Sequence, residues 1–234
     1  MGTPQQKPRG LSRPLILLGP PGAGKGTQAK QVADFYGVRH LSTGDMFRQY
    51  ATHGTALGQR IKAVMNGGGL IPDDVVVAMI EHRIGEPDCA RGFILDGFPR
   101  TVAQAEALEG LLARRGWPEP VVISLRVDES RILRRLTGRR MCKVNGEIYN
   151  IYDHPPKTPG RCDCDGGELI QRDDDREEVI RERLDAYHKL TEPVTEYYRK
   201  RNLVEEVDGL GDSEVVTRDL IAVVEREEKS GRHL

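Results

Sequence analysis

The sequence predicts an α/β protein: a parallel β-sheet core flanked by helices, interrupted by one helical insertion and one small β-rich insertion. Three observations predict it. Short apolar runs alternate with helix-length segments along most of the 234 residues, which argues for strand–helix–strand units and helices on both faces of a mostly parallel sheet. The first apolar run leads straight into a glycine-rich turn and then a helix. From residue 138 to 175 the helical signal lapses, and glycine turns, three prolines and three of the four cysteines appear instead, so this stretch reads as a separate β-rich unit.

The elements follow in order. Residues 1–14, "MGTPQQKPRGLSRP", lack the apolar core of a signal peptide and read as a flexible leader; Met1-Gly2 alone makes no case for myristoylation. The remaining residues, 15–234, form the principal domain. "LILL" (15–18) is a buried-type strand and Thr27 to Tyr36 a helix. "VRHLS" (38–42) is the second strand, and 42–71 a helical insertion ending in "NGGGLIP". "GFILDGFP" (92–99) carries the third strand, Val102 to Arg115 a helix, "VVISLRV" (121–127) the fourth strand and Arg131 to Leu136 another helix. After the 138–175 insertion, "LVEEVDG" (203–209) is a fifth strand, and the charged tail "EREEKSGRHL" reads as a frayed end. Ligands of such sheets bind at the carboxyl ends of the strands.

Composition excludes several classes. Net charge is -1, so no global attraction to polyanions exists. No apolar run approaches membrane-spanning length. The β-rich insertion mixes Lys143, Lys157 and Arg161 with Asp153, Asp163, Asp165 and Glu168, which leaves no basic stripe for nucleic acid. Four cysteines do not make a disulfide scaffold. A reducing, cytoplasmic setting is expected.

The turn after the first strand nearly matches G-x-x-x-x-G-K-[ST], the phosphate-binding P-loop. Gly19, Gly24 and Lys25 fit; Gly26 stands where a hydroxyl is expected, and Thr27 supplies one a residue late. The segment Gly22, Ala23, Gly24, Lys25, Gly26 and Thr27 can bring backbone N–H groups, a helix N-terminus and an ammonium to a polyphosphate. The bland alternative is a tight turn with chance glycines. Without the direct hydroxyl ligand, Mg²⁺ must be held by phosphates, waters and a carboxylate elsewhere. Asp96, at the end of the third strand, is the natural candidate; its bland reading is a strand-end turn residue.

"GPPGAGKGT", "LSTGDMFR" (41–48), "GFILDGFPRT" (92–101), "LTGRR" (136–140) and "QRDDDREEVIRERL" (171–184) occur in this order. Together they closely resemble adenylate kinase, from about Leu15 to about Leu220. The resemblance implies reversible phosphoryl transfer, Mg-ATP plus AMP giving two ADP, in a monomer whose two insertions close over the substrates as an AMP-binding unit (42–71) and a lid (138–175). It implies an AMP site of Thr43, Arg48, Gly69, Leu70, Ile71, Gly97, Phe98, Pro99, Arg100 and Gln104, with Arg172 and Arg183. It implies an ATP site of the loop residues with Arg135, Arg139, Ile148, Tyr149 and backbone near Gly211. Arg134, adjacent to Arg135, could exchange roles with it. Lys25, Arg100, Arg139, Arg172 and Arg183 would stabilise the transferring group. Asp174 and Asp175 match carboxylates at the lid hinge. A lone arginine is more often a solvated charge; here each falls in a motif.

In the zinc-bearing branch of that family the lid carries two C-x₂-C pairs, or C-x₂-D in the second. The matching positions here are Cys142, Asn145, Cys162 and Asp165, with Cys164 offset and His154 a further donor. Asn is a poor substitute for thiolate, and the balance is slightly against zinc. Cys89 reads as packed. Competing functions are a kinase for another nucleoside monophosphate or one with a GTP donor, a non-catalytic ATP/AMP sensor, and a switch GTPase. Thr43 and Gln104 oppose the first, retention of Arg100 and Arg139 the sensor, and Gly26 the last.

Overall fold

The computed structural model describes residues 9–52 and 54–230. Five parallel strands form the central sheet: β1 (Leu15–Leu18), β2 (Arg39–Ser42), β3 (Phe93–Asp96), β4 (Val121–Arg126) and, after three short strands of the β-rich insertion, β8 (Val204–Asp208). Their spatial order is β2-β3-β1-β4-β8. β1 is central, with Leu15 opposite Ile94 on one side and Val121 on the other.

The apolar run of β1 follows from burial on both faces, as in other parallel sheets. Ile16 and Leu18 enter one core with Phe93, Leu95 and Val122. It is covered by α4 (Asp73–Ile84), α5 (Val102–Arg114) and α8 (Glu192–Arg199). Leu15 and Leu17 enter the other with Ile94, Val121 and Ile123, beneath α1 (Lys25–Tyr36) and α9 (Ser213–Ser230). The period-2 alternation thus assigns each residue of the strand to one core.

The helical insertion comprises α2 (Thr43–Thr52) and α3 (Ala56–Asn66). Thr55 caps α3 by accepting the Gly58 N–H at 3.0 Å. The β-rich insertion follows α6 (Glu129–Gly138) and holds an antiparallel sheet of β5 (Arg139–Cys142), β6 (Ile148–Asn150) and β7 (Leu169–Ile170), with β5 in the middle. α7 (Glu177–Ala186) then continues through one π-helical turn, Tyr187–Thr191, into α8.

Two sequence expectations need correction. The leader's residues 1–8 lie outside the described residues, but the chain is anchored from Gly10. Gly10 N–H donates to Tyr36 O, Leu11 N–H donates to Arg91 O, and Arg13 Nε donates to Glu119 O. The tail does not fray at residue 225: α9 continues to Ser230 because Val224 and Glu227 face inward. Glu228 accepts from Ser12 Oγ at 2.6 Å. Residues 231–234 lie outside the described residues. No helix among the described residues is long and apolar enough to cross a membrane.

Candidate active site

The P-loop leaves β1 at its carboxyl end. Gly19 has φ 137°, and a Cβ there would stand 2.7 Å from Leu125 O, so only glycine lets the loop pass β4 so closely. Gly24, at φ 91°, is the N-cap of α1 and makes no side-chain cap. The helix begins at Lys25, two residues earlier than its sequence pattern predicts. Ala23 packs into the core and offers the loop only backbone. Lys25 Nζ donates to Gly19 O at 2.7 Å and Pro20 O at 2.9 Å. Burial pulls its pKa down to about 8; nearby Asp96 opposes the shift, and Arg100, Arg183 and Arg139 reinforce it.

Asp96 ends β3 beside this loop. Its Oδ2 is 3.3 Å from the place of a Cβ on Gly26, so the absent side chain leaves the carboxylate open toward the start of α1. Burial would raise its pKa, but the His40 hydrogen bond and Lys25 outweigh burial and hold it low. His40 Nε2 lies 3.3 Å from Asp96 Oδ2. Sequence reading gave His40 no role; the β2–β3 register sets His40 opposite Ile94 and Ser42 opposite Asp96, so the contact reaches diagonally between the strands.

Two pockets adjoin at this end of the sheet. Thr43, Gly69, Leu70, Ile71, Gly97, Arg100 and Gln104 wall the first. Gly19, Lys25, Leu70, Gly97, Pro99, Arg100 and Arg183 wall the second. Leu70, Gly97 and Arg100 belong to both. Thr43 Oγ1 donates to Gly97 O at 2.9 Å, and Arg100 Nε donates to the same carbonyl at 2.8 Å. Burial, and then Arg183, pull the Arg100 pKa down to about 10. The Phe98 side chain is buried in the core, so at that position only backbone remains for a ligand.

The other arginines converge from distant elements. Arg139 grips Asp175 through Nε at 2.8 Å and Nη2 at 2.5 Å. Arg183 Nη1 lies 3.0 Å from Asp174 Oδ2 and 3.4 Å from Asp175 Oδ1. Arg172 contacts Met141 Sδ through Nε and Nη2, and lies 4.0 Å from Asp45. Burial and Arg139 pull its pKa down to about 10. Arg48 donates to Asp45 at 2.5 Å. Although burial pushes the Asp174 pKa up, Arg183, Arg139, Arg48 and Arg172 together hold it low.

A family model described as "Adenylate kinase" matches residues 17–203. An adenylate kinase of Archaeoglobus fulgidus is 49% identical over 212 residues, covering 91% of this chain and 98% of the relative. That of Bacillus subtilis is 48% identical over 206 residues, covering 88% and 95%. The chain belongs to the adenylate kinase family.

Arg135, not Arg134, faces the loop. Arg135 Nη2 is 3.5 Å from the place of a Cβ on Gly24, and Nη1 approaches Gly209 O at 3.5 Å. Arg134 instead lies over the Tyr152 ring, 4.4 Å from its centroid. Gly209, two residues before Gly211, thus supplies the carbonyl that Arg135 approaches. The Tyr149 side chain, expected to cover a nucleotide ring, is turned inward. It is buried in the β-rich insertion against Cys142 and Cys162, with its hydroxyl accepting the Asp163 N–H at 2.8 Å. Ile148 projects from the other face of the same strand.

In the β-rich insertion, donor atoms of Cys142, Cys162 and Asp165 lie within 4.8 Å of one another. Asn145 holds the remaining corner. Its Nδ2 donates to Asp165 Oδ2 at 2.8 Å and contacts Cys162 Sγ at 3.5 Å. An amide nitrogen offers hydrogens and no lone pair for a metal. Cys164 is exposed and outside this cluster. The set does not fit a closed four-ligand zinc site.

Proposed function

We infer that this chain transfers the terminal phosphoryl group of Mg-ATP to AMP, reversibly, giving two ADP. The observation that carries the reading is the pair of adjoining pockets with Arg100 common to both. An acceptor phosphate entering from one pocket and a donor polyphosphate from the other would meet at that guanidinium. Lys25 and the loop amides would hold the donor phosphates. Arg135 would meet the donor base, with Ile148 covering it. Thr43 and Gln104 would read the acceptor base; Arg48 and Arg100 would bind its phosphate. Arg139, Arg172 and Arg183 would surround the migrating group, where positioning and charge stabilisation do the catalysis.

Asp96 and the space beside Gly26 suit a magnesium ion held through its waters. When bound, that ion neutralises phosphate charge. The two insertions would act as an AMP-binding unit over 42–71 and a lid over 138–175, closing to exclude water. A monomer acting in the cytoplasm is the accompanying expectation. A non-catalytic sensor would have no use for five cations around one reaction centre.

The deciding experiment measures ADP formation from Mg-ATP with AMP, GMP, CMP, UMP or no acceptor. Fast turnover confined to AMP is expected. Turnover centred on another monophosphate would overturn the acceptor assignment. ATP binding without transfer to any acceptor would favour the sensor.

The lid is proposed to be held by the Asn145–Asp165–thiol hydrogen bonds without structural zinc. Asn145→Cys should then convert it: the purified variant should carry about one zinc per chain by elemental analysis and melt at lower temperature after chelation. Stoichiometric zinc in the unaltered protein would overturn this proposal.

A further inference from the structure

We propose that Asp73 fixes the orientation of the Gln104 amide and so decides which purine edge the acceptor pocket reads, the 6-amino form over the 6-oxo form. The inference deepens the proposed acceptor site and rests on that reading.

Gln104 is only 2% exposed and lies on the wall of the acceptor pocket. Both ends of its amide are engaged within the protein. Nε2 donates to Asp73 Oδ1 at 2.7 Å. Oε1 accepts the Arg100 backbone N–H at 2.7 Å. Neither partner can exchange roles, since a carboxylate only accepts and a backbone N–H only donates. Turning the amide over would set oxygen against oxygen and N–H against N–H. The orientation is therefore dictated by chemistry. Asp73 is itself held: its Oδ2 accepts the Thr101 hydroxyl at 2.8 Å, and Thr101 Oγ1 accepts the Gln104 N–H as the N-cap of α5.

One N–H and one lone pair of the amide remain for a ligand. Adenine presents a ring-nitrogen acceptor beside an amino donor. Hypoxanthine and guanine present the inverse, a ring N–H beside a carbonyl oxygen. An amide free to turn could serve both patterns. A pinned amide serves one and leaves buried polar groups unpaired against the other, the kind of mismatch that discriminates most strongly. Asp73 thus acts through Gln104 as a positioning residue. Sequence pattern does not disclose it, because its partner is 31 residues away on another helix.

The test compares AMP with IMP as acceptors for the unaltered enzyme, Asp73→Asn, Asp73→Glu and Asp74→Asn. IMP differs from AMP only at the edge in question. In Asp73→Asn, the ratio of kcat/KM for AMP over IMP should fall roughly tenfold or more. The change should lie in the acceptor KM, with the ATP KM preserved. Asp73→Glu keeps an acceptor-only group and should recover part of the ratio. Asp74→Asn removes the neighbouring first-turn charge of α4 and should leave the ratio alone. Asp73→Ser replaces Asp73→Asn if the latter does not fold. A lowered melting temperature with an unchanged AMP:IMP ratio would reduce Asp73 to a structural clamp and overturn the proposal. Failure of the unaltered enzyme to use AMP would instead overturn the acceptor reading beneath it.

Discussion

Lys25→Met should lower kcat by about 10³-fold while leaving the melting temperature nearly unchanged. The magnitude follows from losing a preorganised charge at the proposed reaction centre. The fold should tolerate the change because, among the described residues, Lys25 Nζ bonds to two loop carbonyls, Gly19 O and Pro20 O. Methionine preserves the length of the stem. The same residue predicts a pH dependence. Its pKa is lowered to about 8, chiefly by burial; the ammonium that polyphosphate needs is present below that pH and lost above it. In the unaltered protein kcat/KM for ATP should therefore decline as pH rises through about 8, since this ratio reports the free enzyme. The methionine variant should lack that step. Near-normal turnover in Lys25→Met would remove this lysine from the reaction centre.

Asp175→Ala should cost about 3 kcal/mol or more of folding stability in urea denaturation at neutral pH. Asp175 is fully buried and accepts hydrogen bonds from both Arg139 and Arg183. Its removal leaves two guanidinium groups, each largely enclosed, without that counter-charge. Mg-ATP together with AMP should restore part of the loss, because phosphate oxygens replace the missing carboxylate and binding favours the folded state. A loss below about 1 kcal/mol would mean that Asp174 compensates alone, against the median expectation for a buried pair.

What the sequence disclosed depended on distance along the chain. The P-loop is contiguous, and its glycines are demanded by local backbone geometry, so Gly19, Gly24 and Lys25 were legible from spacing. β1 was legible because burial on both faces makes every residue apolar. The arginine cluster was not legible from pattern: Arg48, Arg139 and Arg183 lie on separate elements, and only resemblance to a known family brought them together. Tyr149 was assigned from resemblance alone; that its side chain turns inward depends on Cys142 and Cys162, one strand and one loop away, which no short-range pattern shows. The anchoring of Leu11 and Arg13 was missed for a related reason. Their partners lie at Arg91, Glu119 and Glu227, and composition alone made the segment look unstructured.

The central position of β1 also governs the order in which the site can be assembled. Residues 15–18 pair with 94–96 and with 121–124, so the loop that opens the sequence has no complete platform until the chain has been made through β4. During synthesis the phosphate-binding segment must wait, unsupported on one flank, for more than a hundred residues to follow it. Pairings of this separation close large loops before they return any contact energy, and they slow folding accordingly. Nucleotide-binding competence should thus arise late on the ribosome, after β4 emerges, although Lys25 itself is among the earliest residues made.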